Sequence, residues 1–352
     1  MQIKRIALGG IIMTVIMLSG CSTTEQNLAI GEEKTLETGK TEQESVTEKD
    51  INMNEKESFN AESNINDVIH NSAFDDYGRL IFPIDMEIED NLKLKDVSSI
   101  LPWYSEVNTD KTVEIVNYMK NQAMNGEKIF YPIYSEEEMQ ADADKKDTGL
   151  FFFRGNAGAK TAIINAGGGF VYVAGIHDSF PHALELSKKG HNAFALIYRP
   201  GAQTACEDLA RAIAFLHENA EQLQIDMTDY SLWGGSAGAR MAAWLGSYGT
   251  AYFGEKEYPA PAAVIMQYTG LSQVTGMEPP TYACVGTSDG IASYRSMENY
   301  ISQIQQNGTN VTIEVFKGLS HGFGLGEGTV AEGWIDRAIS FWEDNMNALD
   351  KR

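Results

Sequence analysis

Three side chains and one glycine-rich turn in this sequence have the types and spacing for acyl-transfer chemistry. Ser236 stands in Gly234-Gly235-Ser236-Ala237-Gly238, Asp289 in Gly286-Thr287-Ser288-Asp289-Gly290, and His321 in Leu319-Ser320-His321-Gly322-Phe323-Gly324. A serine hydroxyl is a weak nucleophile until a base takes its proton and a third group holds that base in place. His321 is placed to take the proton and later return it to a leaving group, and Asp289 to fix the imidazole tautomer and stabilise the imidazolium. An attacked carbonyl also needs donors for its developing negative charge. Asn165-Ala166-Gly167-Gly168-Gly169-Phe170 offers the N–H groups of Gly168 and Gly169 with no Cβ in the way, and Ala237 adds one from the first turn after the serine.

Such chemistry needs rigid elements beneath it. Residues 229–233 (DYSLW) read as a short buried strand, and 237–247 (AGARMAAWLGS) has small and apolar residues at helical spacing. Ser236 then sits on a sharp strand-to-helix turn, where Gly234 and Gly238 must be small because the chain closes on itself. Short apolar runs at 150–153, 161–165, 193–198, 262–268, 281–285 and 311–316 read as further strands. Helical periods fill 181–189, opened by Asp178 or Ser179, and 207–223, 294–306 and 332–345. Strands alternating with helices predict an α/β fold with a mostly parallel central sheet and helices on both faces. Ligands on such a sheet gather at the carboxyl ends of its strands. Ser236, Asp289 and His321 each follow a strand. Among the other histidines, His191 and His217 precede the serine, His177 and His182 can at most line the entrance, and His70 lies far upstream.

The first 72 residues read differently. Residues 1–20 carry Lys4 and Arg5, an apolar stretch over 6–18, and Leu18-Ser19-Gly20 ahead of Cys21. This resembles the lipobox of a bacterial lipoprotein signal peptide. The resemblance implies lipidation of Cys21, export, and an anchor on the outer face of the cell membrane as the only membrane contact. Residues 21–72 are rich in Glu, Lys, Thr, Ser and Asn and read as a disordered tether, leaving 73–352 as the domain. A net charge of −22 argues against nucleic acid or anionic lipid as partners. Cys206 stands near the start of an expected helix and Cys284 in an expected strand; export allows a disulfide between them, nothing in the sequence supports one, and they read as two buried thiols.

Residues 73–150 are less regular. Thr109 or Asp110 caps a helix ending near Gly126, and 128–134 (KIFYPIY) alternates like a strand that Pro132 confines to an edge. Residues 135–147 (SEEEMQADADKKD) open with a capping box, and Asp142, Asp144 and Asp147 lack the glycine and terminal glutamate of a calcium loop. This stretch forms edge strands or a flap over the pocket. With few cysteines and no clustered histidines, the reading calls for no metal and no cofactor.

From about residue 150 to 345 the chain resembles the esterase branch of the α/β-hydrolase superfamily, near its hormone-sensitive-lipase-like and acetylxylan-esterase-like members. The matching pieces are AGGGF, FALIYRPG, EDLARAIAFL, GGSAG, PPTYACVGTSD and LSHGFG, and the order Ser, Asp, His is that of the superfamily. Many relatives carry His before the three glycines, where this chain has Ala166. The resemblance implies a carboxylic-ester hydrolase acting on a small ester with a short acyl group, on a carbohydrate or similar extracellular compound. Its triad would be Ser236, Asp289 and His321, and its oxyanion donors Gly168, Gly169 and Ala237. Two other readings stand beside it: a peptidase of the prolyl-oligopeptidase type, for which residues 73–150 are too few to build a propeller, and a non-catalytic binding lipoprotein, which has no use for a strained turn at Ser236.

Overall fold

The computed structural model describes residues 58–346. The expected signal peptide, Cys21 and most of the expected tether lie outside the described residues. Among those residues no helix is long and apolar enough to cross a membrane.

Eight strands form one sheet in the order β1-β2-β4-β3-β5-β6-β7-β8. They are β1 (Phe130–Pro132), β2 (Gly149–Phe153), β3 (Lys160–Asn165), β4 (Asn192–Ile197), β5 (Asp226–Gly235), β6 (Ala263–Gln267), β7 (Thr281–Gly286) and β8 (Val311–Phe316). Only the β1–β2 and β2–β4 pairs are antiparallel. Every residue of β2, β4, β6 and β7 is buried, which is why these strands are continuous apolar runs and not alternating ones. Pro132 sits on the outer strand, where a missing N–H costs the sheet least.

Right-handed crossovers put helices on both faces. The chain steps one way from β3 to β4 through helix Phe180–Lys188, then the opposite way from β4 to β5 through helix Ala202–Glu218, so the two helices cover opposite faces. Helix Ala237–Tyr248 packs beside Ala202–Glu218, while Trp334 of helix Trp334–Asn345 meets His182 of the first face at 5.6 Å between ring centroids. The reversal falls between the neighbouring strands β3 and β5, so the crevice at their carboxyl ends lies between the Gly167–Gly169 turn and Ser236.

The ordered domain begins earlier than composition suggests. Residues 58–72, expected in the tether, pack on the core: helix Ile65–Ile69 is capped by the Asn64 side chain, and Ile65 and Val68 are fully buried. Two apolar side chains three apart on one helix face contribute about 1.5–3 kcal/mol each when withdrawn from water, and a composition average over residues 21–72 hides them. Phe59 is held by a 2.8 Å N–H bond to the Asn117 side chain. Smaller corrections concern helix starts. Asn108, not Thr109 or Asp110, caps helix Thr109–Met124, and the helix expected at 207–223 begins at Ala202 and breaks after Glu218. The capping box at Ser135 and Glu138 is formed, and Cys206 and Cys284 are buried and unpaired.

Candidate active site

Strand β5 runs to Gly235, and the chain turns at once into helix Ala237–Tyr248. Ser236 absorbs the turn with φ 51° and ψ −115°, a conformation that costs an L-residue on the order of 1–3 kcal/mol. Its neighbours explain the glycines. A Cβ on Gly234 would run into the Gly238 and Ala239 backbone, and one on Gly238 into the carbonyls of Asn165 and Ala166. The elbow thus packs directly on the end of β3. Asn165 ties the two together by donating from its amide to the Trp233 carbonyl at 2.8 Å, and Ser236 N–H bonds the Gln267 carbonyl of β6 at 3.0 Å.

Ser236, His321 and Asp289 are brought together. His321 Nε2 is 3.1 Å from Ser236 Oγ, and Nδ1 is 2.8 Å from Asp289 Oδ2. The Asp289 side chain is fully buried, and its other oxygen accepts the N–H groups of Ile291 at 2.8 Å and Ala292 at 2.7 Å. With both oxygens engaged the carboxylate cannot swing away from the ring. The imidazole is 6% exposed and packs on Tyr268, with centroids 4.9 Å apart.

After β3, Gly168, Gly169 and Phe170 all take positive φ, at 123°, 64° and 62°. Such a bend turns successive N–H groups toward one side. Among the described residues the N–H groups of Gly168 and Gly169 meet no backbone or side-chain acceptor, and that of Ala237 opens a helix whose first-turn N–H groups have none within it. The carbonyls of the turn are engaged: Gly168 accepts from Val171 and Tyr172, and Ala166 from the Tyr198 hydroxyl at 2.6 Å.

Several supporting residues were not singled out for this role from the sequence. Asp178, expected at most as a helix cap, is buried beneath the elbow. Its carboxylate accepts the Gly167 N–H at 2.7 Å, the Tyr104 hydroxyl at 2.9 Å and the Tyr268 hydroxyl. Burial pushes this carboxyl up from its ordinary range, opposed by those donors, and the Tyr268 hydroxyl is driven well above its own by burial and by the charge of Asp178. His177 and His182 do not line an entrance; both are buried. His177 donates from Nε2 to the Gly322 carbonyl at 3.0 Å, and burial holds both rings toward the neutral form, His182 down to about 3.

Residues 101–105 complete the surround as a strap. The Ser105 hydroxyl donates to the His321 carbonyl at 2.7 Å and its N–H to the Gly322 carbonyl at 3.2 Å. Pro102 accepts the Tyr172 hydroxyl, and the Trp103 ring stacks on Tyr172 at 5.7 Å and abuts Gly169. Of the two options open for residues 73–150, this segment supplies both: β1 at the sheet edge, and a covering piece across the loops after β3 and β8. A signal for Asp178 lay in the sequence, an acid beside His177 inside the otherwise mostly apolar and small run from Val171 to Pro181.

The strand order, crossovers and elbow define a chain of the α/β-hydrolase fold. The BD-FAE family model matches residues 154–278. Among solved structures the chain is similar to the acetyl ester-xyloside bifunctional hydrolase from Caldicellulosiruptor lactoaceticus, at 19% identity over 61% of this chain and 95% of that one, with a TM-score of 0.54. It is likewise similar to Thermogutta terrifontis esterase 2, at 18% identity over 61% and 93% of the two chains and a TM-score of 0.51 in the apo form, and 0.52 with propionate bound. No curated protein matches the sequence.

Proposed function

We propose that the chain is a serine hydrolase of carboxylic esters with short acyl groups, working through an acyl-enzyme on Ser236. The observation that carries this reading is the hydrogen-bonded series Ser236–His321–Asp289, with the serine held on a strained elbow. Ser236 Oγ attacks the ester carbonyl carbon while His321 Nε2 takes its proton. The carbonyl oxygen gains negative charge, and the N–H groups of Gly168, Gly169 and Ala237 receive it. Collapse breaks the bond to the alcohol, which leaves with the proton from His321. Water, deprotonated by the same nitrogen, then attacks the acyl carbon and releases the acid.

The similarity to an acetyl ester-xyloside bifunctional hydrolase supports an O-acyl carbohydrate, or a similar small extracellular ester, as substrate. Cys21 as the lipid-bearing residue, and attachment to the outer face of a bacterial membrane, belong to the same reading. Acetyl and butyryl p-nitrophenyl esters provide the test. The wild type is expected to hydrolyse both and to be labelled at Ser236 by a fluorophosphonate, and Ser236→Ala to lose both properties. Equal turnover by the Ala variant would end the proposal, and absence of labelling would favour a binding protein.

A further inference from the structure

Five described arginines sit against carboxylates: Arg79 on Asp147, Arg154 on Glu127, Arg199 on Asp208, Arg211 on Glu218 and Arg337 on Glu314. Arg295 is exposed and lies over the Tyr294 ring. Arg240 is different. It is partly buried and has no carboxylate partner among the described residues, although acids outnumber bases by 49 to 27 in this sequence. Among the described residues the one hydrogen bond of its guanidinium is a 3.3 Å contact to the Gly270 carbonyl.

The position of this unmatched cation is specific. Arg240 lies four residues beyond Ser236, its N–H bonding the Ser236 carbonyl at 3.3 Å, in the helix that the elbow opens and on the face that carries residues 240, 244 and 248. Continuing along that face, Trp244 and Tyr248 join Arg240 in lining a cavity of about 190 Å³, closed on its other side by Leu271 and Gln273 of the loop after β6. The lining contains no Asp or Glu. Trp244 also stacks on Phe170, nearly parallel at 6.2 Å, which joins the cavity wall to the turn bearing Gly168 and Gly169. No residue of the His321 loop lines it. A leaving alcohol has to face His321, which leaves the side of the elbow helix that carries this cavity for the acyl group; Ser236 and the Gly167–Gly169 turn are not among the lining residues, and the cavity is joined to them through the Arg240 N–H bond and the Trp244–Phe170 stack.

We propose that this cavity is an acyl subsite and that Arg240 binds a carboxylate on the acyl chain, making hemiesters of short dicarboxylic acids the preferred substrates. The inference rests on the ester-hydrolase reading and narrows it. A bidentate guanidinium–carboxylate pair is directional and charge-assisted, and a cavity roughly six water volumes in size holds a short chain and little more.

The test uses the full chain with two esters of equal length, monoethyl glutarate and its uncharged counterpart ethyl 4-carbamoylbutanoate. Alkyl esters of this kind are stable in buffer, and acid release is followed by titration. The wild type is expected to favour the charged ester in kcat/KM. Arg240→Met should lower that preference by roughly tenfold to hundredfold, mostly through KM, and Arg240→Lys should restore part of it. Raising the salt concentration should narrow the wild-type preference. A second arm measures monoethyl glutarate binding to Ser236→Ala by calorimetry, with and without Arg240→Met. If the wild type does not favour the charged ester, or both substrates lose equally in Arg240→Met and Arg240→Lys, Arg240 merely ties down the Gly270 loop and the proposal is overturned. If neither ester is turned over yet binding depends on Arg240, the subsite stands and the hydrolase reading falls.

Discussion

Replacing Asp289 by Asn separates the role of the buried acid from its shape. One oxygen of Asp289 accepts the N–H groups of Ile291 and Ala292, and the other faces His321 Nδ1. An asparagine keeps the two backbone bonds only by placing its carbonyl oxygen where Oδ1 is now, which turns its amide NH2 toward His321. Nδ1 must then accept, so the neutral ring carries its proton on Nε2, the nitrogen that should take the serine proton. The base is disabled while the fold keeps both backbone bonds. The expected outcome is a fall in kcat of about 10⁴, equal to about 5.5 kcal/mol of barrier, with stability changed by less than about 1 kcal/mol. The assay is initial-rate hydrolysis of p-nitrophenyl acetate beside urea unfolding, with fluorophosphonate labelling slowed by a similar factor. Activity within tenfold of wild type, in a variant as stable as wild type, would refute the assignment of Asp289 as the residue that sets the tautomer.

Asp178→Ala strands the N–H of Gly167 and the hydroxyls of Tyr104 and Tyr268, at about 1 kcal/mol or more each; unfolding should show a loss of at least about 3 kcal/mol, with kcat falling more than KM rises, and Asp178→Asn should lie nearer wild type. Gly238→Ala pushes a methyl into the carbonyls of Asn165 and Ala166, and a lowered Tm with loss of fluorophosphonate labelling is expected. His182 is neutral in the fold down to about pH 3 but gains a proton near pH 6.5 when unfolded, so its contribution is complete above pH 6.5 and is lost as pH falls toward 3. Between pH 7 and pH 5 that loss is about 2 kcal/mol, and urea unfolding of His182→Gln at the two pH values should show a smaller difference than wild type.

Much of the site was legible because its parts are local. Ser236 announces itself through glycines two residues away, and Asp289 and His321 each follow an apolar run that must be a strand. The fold class is readable for the same reason, since most of β2 to β8 are short apolar runs and helical periods separate β3 from β4, β4 from β5, β5 from β6 and β7 from β8. The supporting residues are legible only in space. Tyr104 meets Asp178 across 74 positions, and Ser105 meets the His321 carbonyl across 216. Arg240 carries no signal in the sequence at all, because what marks it is the absence of an acid that any of 49 candidates could have supplied. The early start of the ordered domain was hidden by averaging, with Ile65 and Val68 outnumbered by their polar neighbours.

That early start bears on how this protein can be cut. The strap at 101–105 grips the histidine loop, and the stretch leading into it is moored to the domain by Ile65 and Val68 and by the Asn64–Lys93 bridge. A recombinant version trimmed at residue 73, where polar composition invites the scissors, would cast off that mooring and keep every strand of the sheet. It should express as a folded protein with a slack histidine, whereas trimming at residue 57 should leave catalysis intact.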